Sequence, residues 1–160
     1  MERANFDDID TLMDIFEKAR LIMAASGNRD QWPAGYPARS RIIEDISKGA
    51  CHIVRGDDGL VHGTFYAALE DDPTYSVIVD GAWHYSGQYA VIHRIAQDGS
   101  LSGLLKLTLD YVATFSHYIR IDTHRDNSIM RHLLAKYGFE ESGTIFTSSG
   151  SPRIAYERMS

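Results

Sequence analysis

Two short segments of the chain bring together residue types that handle anions and protons. The first is Gln97-Asp98-Gly99-Ser100-Leu101-Ser102-Gly103, a glycine- and serine-rich stretch between an apolar run and an amphipathic one. At such a junction the first N–H groups of a helix lack acceptors and the helix dipole favours an anion, so the segment can cradle a phosphate or pyrophosphate. It is not a Walker loop, since no Gly-Lys-Ser/Thr follows, and the GxGxxG spacing of a dinucleotide fingerprint is missing. A plain strand-to-helix turn is the competing reading. The second segment is Arg120-Ile121-Asp122-Thr123-His124-Arg125-Asp126-Asn127, followed by Met130 and by Lys136-Tyr137-Gly138-Phe139. It falls where a strand ends and a helix begins, the place where open α/β sheets bind ligands. Asn127 there either caps the helix or donates to a ligand carbonyl.

His93 and His124 are the candidate proton carriers, because imidazole titrates near neutral pH. Each could equally be a structural histidine bonded to backbone. Asp122 stands at a spacing that would let it orient His124. Trp32, Tyr36, Trp83 and Tyr85 are candidate pocket walls, since aromatic faces hold cations, although tryptophans as readily fill a core. Cys51 has no electropositive neighbours in sequence and is a poor nucleophile candidate. His52 and His62, on a predicted hairpin, read as surface residues. No close His/Asp/Glu spacing on one helix face suggests a metal, so none is expected.

The elements that must position these residues follow from apolar periodicity. Ile9, Leu12, Met13, Phe16, Ala19 and Met23 predict a helix with Asp7, Asp8 and Asp10 at its positive end and Gly27 as its stop. A loop over residues 28–38 carries Trp32, Pro33, Tyr36 and Pro37, and a short helix is predicted over residues 40–48. Cys51 to Arg55 and Leu60 to Leu69 read as a hairpin around Gly56-Asp57-Asp58-Gly59. Tyr75 to Val79 and Tyr89 to Ala96 are further strands, the latter apolar enough to be covered on both faces. Leu101, Leu104, Leu105, Thr108, Val112 and Phe115 share a helical face. Tyr118 to Asp122 is a strand, 127–137 a helix closed by Gly138, and 144–147 with 153–158 a final hairpin. Alternating strand and helix predicts a parallel pair with a right-handed crossover, set among antiparallel strands. The fold class expected is α/β, a mixed central sheet with helices on both faces.

Length and charge narrow the function classes. The 160 residues, 44% hydrophobic and 24% charged, predict one domain over residues 1–160. No apolar run approaches a membrane span, and the acidic N-terminus is not a secretory leader. A single cysteine points to a reducing cytoplasm. Residues 1–80 hold 8 Lys and Arg against 15 Asp and Glu, and residues 81–160 hold 8 against 7. No basic stripe is visible, so nucleic acid is not an expected partner, and the acidic half is either solvated surface or a field favouring a cationic small molecule. A homodimer is compatible with the sequence.

Taken together, His93-Arg94-Ile95-Ala96, the glycine-containing loop and helix, Arg120-Ile121-Asp122-Thr123-His124, Asn127, Met130 and Gly138-Phe139 resemble the GNAT superfamily of acyl-CoA N-acyltransferases. Gln31-Trp32-x-x-Gly35-Tyr36-Pro37 and Arg153-Ile154-Ala155-Tyr156-Glu157 resemble one bacterial branch of it. The resemblance implies a GNAT-like sheet with a splayed parallel strand pair, and acetyl-CoA as co-substrate. It further implies that Ile95, Ala96 and Gln97 pair with the pantetheine arm. Ser100, Leu101, Ser102, Gly103, Leu104 and Leu105 would surround the pyrophosphate, and Asn127 would contact the cofactor. The implied activity is acetyl transfer to a small-molecule primary amine by direct attack on the thioester, with Trp32, Tyr36 and Trp83 at the acceptor. Two positions depart from the family pattern. Its loop, Gln/Arg-x-x-Gly-x-Gly/Ala, keeps only Gly103 here, and the tyrosine many relatives carry seven residues after the asparagine is Leu134. A catalytically weak acyl-CoA-binding domain of the same fold is therefore the alternative.

Overall fold

Asn5 caps a 3-10 turn (Phe6–Asp8) that runs directly into the first helix. Its side chain accepts the Asp7 amide at 2.8 Å, while the Asp8 carboxylate accepts the Asn5 amide at 2.8 Å, a reciprocal cap. From there α1 (Ile9–Ala25) buries Ile9, Leu12, Ile15, Phe16 and Ala19 along one stripe. The computed structural model describes residues 1–160. After β1 (Glu2–Arg3) and α1 come α2 (Arg39–Ser47), β2 (Cys51–Arg55), β3 (Val61–Leu69), β4 (Ala90–Gln97), α3 (Leu104–Val112), β5 (Tyr118–Thr123), α4 (Ser128–Lys136), β6 (Glu140–Phe146) and β7 (Pro152–Met159).

The seven strands form one mixed sheet in the order β1-β2-β3-β4-β5-β7-β6, and only β4 and β5 run parallel. Helices cover both faces. On β2, Ile53 packs into a cluster with α1 and α2, whereas its neighbour Val54 packs into one with α3 and α4. A third cluster, built on Tyr66, Tyr75, Val91, Tyr118 and Ala155, fills the side of the sheet beyond α1 and α2.

Two irregularities shape the site. The first is a bulge in β4 at Arg94, whose φ is +50°. Thr64 pairs with Ala96 and Tyr66 with His93, so two residues of β4, Arg94 and Ile95, oppose the single Phe65 of β3. The extra residue reverses the alternation. Ala90 and Ile92 face α3, yet Ala96 faces α1. The second is the brevity of the parallel ladder, which holds only Ala90–Ile119 and Val91–Arg120. Beyond Val91 the edge of β4 that faces β5 has no ladder partner, and the two strands part.

The predicted elements are present with one exception. Residues 75–79 are not a strand. Pro73 starts a 3-10 turn (Pro73–Tyr75) whose cap is Asp72, accepting the Thr74 amide at 2.8 Å. Tyr75 is buried, and only Val79 makes an isolated bridge, to Thr144. β6 starts four residues earlier than expected, at Glu140, with a register shift near Gly143. There φ is +154° and an added Cβ would lie 2.7 Å from the Val79 carbonyl. Phe115 lies past the end of α3 and is half-exposed. No helix is long and apolar enough to cross a membrane.

Candidate active site

The parting of β4 and β5 opens into a cavity of about 1140 Å³ that runs across the molecule. One end lies among α1, the second half of β4 and the starts of α3 and α4. The other lies under the 28–38 loop, the Asp72 turn and the β6–β7 hairpin.

At the first end, Ile95, Ala96 and Gln97 line the cavity. The unpaired edge of β4 offers peptide groups that an extended ligand bearing amides could satisfy as an added strand would. The loop that follows is pinned by its own side chains. Gln97 Oε1 accepts the Leu101 amide at 3.1 Å and Asp98 Oδ1 accepts the Ser100 amide at 2.9 Å. Asp98 Oδ2 in turn holds His62 Nδ1 at 2.7 Å, and His62 Nε2 meets Asp58 at 2.8 Å. Two loop amides are thus occupied. The amides of Gly103, Leu104, Leu105 and Lys106 have no acceptor within the protein. Gly103 holds φ +72°, with open space where a side chain would stand. Gly103, Leu104 and Leu105 line the cavity, with the Leu105 side chain turned into the α3 core rather than blocking the loop. Ser100, Leu101 and Ser102 do not line it, and Leu101 packs over Gly63 instead. Lys106, which the sequence did not single out, and Lys136 add positive charge at this end.

Asn127 caps the helix, the first role considered for it, and its donor goes to a protein side chain. Its Oδ1 caps α4 by accepting the Met130 amide at 3.1 Å, and its Nδ2 donates to Gln31 Oε1 at 3.0 Å. Gln31 Oε1 also accepts from Asn28 Nδ2 at 2.8 Å and from Thr123 Oγ1 at 3.4 Å. One amide oxygen therefore joins the 28–38 loop, the end of β5 and the cap of α4. Gln31 belongs to the Gln-Trp-x-x-Gly-Tyr-Pro segment, which was its only signal in the sequence.

At the second end, a row of polar side chains crosses the sheet on one face. Tyr66 on β3 pairs with His93 on β4. Extending the parallel register two residues past Val91–Arg120 brings His93 opposite Asp122 on β5. His93 Nε2 lies 2.7 Å from Asp72 Oδ2, and Tyr75 Oη donates to Asp122 Oδ2 at 2.7 Å. The Tyr75 ring sits 6.0 Å from the imidazole. Burial opposes ionisation of Asp72, but His93 and the Thr74 amide and hydroxyl outweigh it and hold the carboxyl down at about 2. With Asp72 ionised, the His93 proton belongs on Nε2, which leaves Nδ1 free to accept another. Arg94, in the bulge, makes a bidentate pair with the buried Asp45 at 2.7 and 2.9 Å.

Of the aromatic candidates, Trp32 and Tyr36 line the cavity, with ring centroids 5.7 Å apart. Trp83 does not. Its Nε1 donates to the Tyr75 carbonyl at 2.9 Å, and the Arg120 guanidinium lies 4.1 Å from its ring, so it braces the Asp72 turn from behind. His124 is also misplaced by the sequence reading. It is buried and lies off the cavity, and its Nδ1 accepts the Asp126 amide at 3.0 Å. Burial, with nearby Arg153, lowers its pKa. Because β5 ends at Thr123, the strand alternation that would have set His124 beside Asp122 stops one residue short. Asp122 is oriented by Tyr75, not by His124.

His52 is not a surface residue either. It is buried, stacked on Phe65 with centroids 5.0 Å apart and tilted against Tyr111 at 4.5 Å. His62 is largely shielded between its two aspartates. Cys51 is buried, and desolvation pushes its thiol up to about 11, far from a thiolate nucleophile. No group of three or more His, Cys, Asp or Glu side chains is arranged to hold a metal ion.

Among solved structures, an acetyltransferase of the GNAT family from Streptococcus agalactiae superposes with a TM-score of 0.86 at 29% identity, over 99% of this chain and 94% of that one. The chain has the GNAT acetyltransferase fold. A putative acetyltransferase from Staphylococcus aureus shares this GNAT fold at a TM-score of 0.70 and 22% identity, covering 99% of this chain and 97% of that one. The NatC complex bound to Gag peptide and CoA follows at 0.59 and 12%, covering 100% and 99%. No protein-family model and no curated protein sequence matches the chain. Within the GNAT fold, the opening between β4 and β5 and the free amides at the start of α3 lie in one continuous cavity.

Proposed function

We propose that this chain transfers an acetyl group from acetyl-CoA to a primary amine. The observation that carries the reading is the unpaired β4 edge ending in four free amides. That edge suits the amides of a pantetheine arm, and the amides suit its pyrophosphate. Ile95, Ala96, Gln97, Gly103, Leu104, Leu105 and Asn127 would hold the cofactor, with Lys106 and Lys136 adding to the anion's field. Trp32 and Tyr36 would wall the acceptor.

Acetyl-CoA supplies an activated thioester. The chain must present the amine in its neutral form, hold the carbonyl oxygen as charge builds on it, and take away one proton. His93 is the group placed for the last task. Its Nδ1 accepts the amine proton, directly or through a water, while Asp72 stabilises the imidazolium through Nε2. As the N–C bond forms the C–S bond breaks, and CoA leaves as a thiolate that needs no strong acid because its pKa is only ~8.5.

The test is a calorimetric titration with acetyl-CoA, then thiol release over an amine panel. Binding together with thiol release supports the reading. The loop's loss of two family positions favours a second reading, an acyl-CoA-binding domain without turnover; tight binding with no thiol release on any amine would establish that instead. Absence of binding would overturn both.

A further inference from the structure

Two arginines lie deep in the wall of the acceptor end, and they differ in one respect. Arg94 is neutralised by the bidentate pair with Asp45. Arg153 is only 7% exposed and forms no ion pair. Its Nη1 donates to Ser151 Oγ at 2.6 Å and to the Pro152 carbonyl at 2.9 Å, and its Nη2 donates to the Gln31 carbonyl at 2.8 Å. These are three neutral acceptors for five N–H donors. A guanidinium stays charged even when buried, so a full positive charge lines the cavity with Asp122 near enough to act on it but with no carboxylate in direct contact. Buried charges are ordinarily paired.

The register places this cation beside the reacting groups. Asp122 pairs with Ala155, and Arg153 lies two residues from Ala155 along β7, on the same face. Asp122 and Arg153 are therefore diagonal neighbours, about 7–8 Å apart along the strands. Across the opening stand His93 and Asp72. The acceptor end thus has carboxylates where the amine must approach and, diagonally across from Asp122, a guanidinium that touches no carboxylate. The Ser148–Ser151 turn borders that guanidinium with hydroxyls.

Resting on the acetyl-transfer reading above, we infer that the acceptor is a free amino acid, its amine directed to His93 and its carboxylate received by Arg153. A polyamine would leave the buried cation unpaired and add a second positive charge beside it. A planar carboxylate completes the unused donors of the guanidinium.

The test compares the twenty common L-amino acids with the C-terminal amide of each, using acetyl-CoA and a thiol-release readout on the wild-type protein. The same compounds are titrated by calorimetry into the CoA-bound protein. At least one amino acid should exceed its amide by tenfold or more in kcat/KM and in affinity. Arg153→Gln should erase that preference by raising KM, with kcat nearly unchanged; Arg153→Lys should restore part of it. Amides that react and bind as well as the acids would overturn the inference, and so would failure of every amino acid to bind the CoA-bound protein. Thiol release only with amines lacking a carboxylate would overturn it while leaving acetyl transfer standing. Selective amino-acid binding with no thiol release would support the pocket assignment and overturn acetyl transfer. The acid–amide comparison needs no variant, so a folding defect in Arg153→Gln cannot obscure the result.

Discussion

His93 and Asp122 face each other across the opening of the sheet, each two residues beyond the last rung of the β4–β5 ladder. Each is fixed from the same turn: His93 by Asp72, and Asp122 by Tyr75. A turn of which only Tyr75 was expected to lie in a strand thus sets both walls of the entrance. Pro73 and the Asp72 cap matter to the proposed chemistry because they aim these two groups.

If His93 carries the amine proton, His93→Gln should lower kcat by roughly 10²-fold, the usual scale for a positioned base, with acetyl-CoA affinity unchanged. The pH–rate profile should lose its basic-group limb. Asp72→Asn should lower kcat less, because the imidazole remains. Asp72→Asn also has a stability signature. The folded-state pKa of about 2 lies below the ordinary 3.8, so the wild-type carboxylate stabilises the fold above pH 3.8 and loses that contribution as pH falls toward 2. Urea midpoints across that window should fall with acidification in the wild type and stay flatter in the variant.

His124→Ala should cost stability through loss of the Asp126 contact, yet leave the shape of the pH–rate profile as it was. A profile altered in this variant but not in His93→Gln would reverse the assignment of the base.

Gly103→Val tests the anion loop. A branched residue at φ +72° is strained by about 1–2 kcal/mol and also fills the open space in front of the free amides. Calorimetry should show acetyl-CoA binding weakened by about tenfold or more. Unchanged affinity would remove this loop from the site.

The Asp58–His62–Asp98 bridge predicts a pH dependence of opposite sign to that of Asp72. The hydrogen bonds that His62 donates to Asp98 and then to Asp58 raise its pKa above the ordinary 6.5. Its contribution is therefore complete below pH 6.5 and lost as pH rises through the higher folded-state value. The wild type should exceed His62→Gln in urea midpoint at pH 6, and the difference should shrink by pH 9.

Arg94→Met would strand Asp45, whose burial already raises its pKa more than Arg94 lowers it. A loss of about 3–5 kcal/mol is expected by urea unfolding, with much of it recovered in Asp45→Leu/Arg94→Met. Equal losses in the single and double variants would show that the pair adds nothing beyond its packing.

Much of the fold was legible because helices and strands here follow their periodicities closely: Leu12, Phe16 and Ala19 on α1, and Leu104, Leu105, Thr108 and Val112 on α3, are buried as spaced. Three features were hidden. The Arg94 bulge leaves no local signal, since it is held by Asp45, 49 residues away. Tyr75 to Val79 are good strand formers, but Pro73 and the close approach at Gly143 leave them a single bridge. His124 was misread because β5 stops at Thr123, a boundary too fine for spacing alone to mark. The α3 end of the cavity was legible through its glycine and the helix start. The other end was not, because the Asp72–Tyr75 turn, Asp122 on β5 and Arg153 on β7 meet only when three separate segments close on one another.

The extra residue in β4 has a consequence for how the strand tolerates change. Because Ala96 pairs with Thr64 and His93 with Tyr66, deleting Arg94 would leave Ile95 opposite Phe65 and every neighbouring side chain on the face it now holds. The pattern of the strand would survive; its bend and its tether would not. The deletion removes the positive-φ residue at which β4 kinks and the guanidinium that ties the strand to Asp45 on α2.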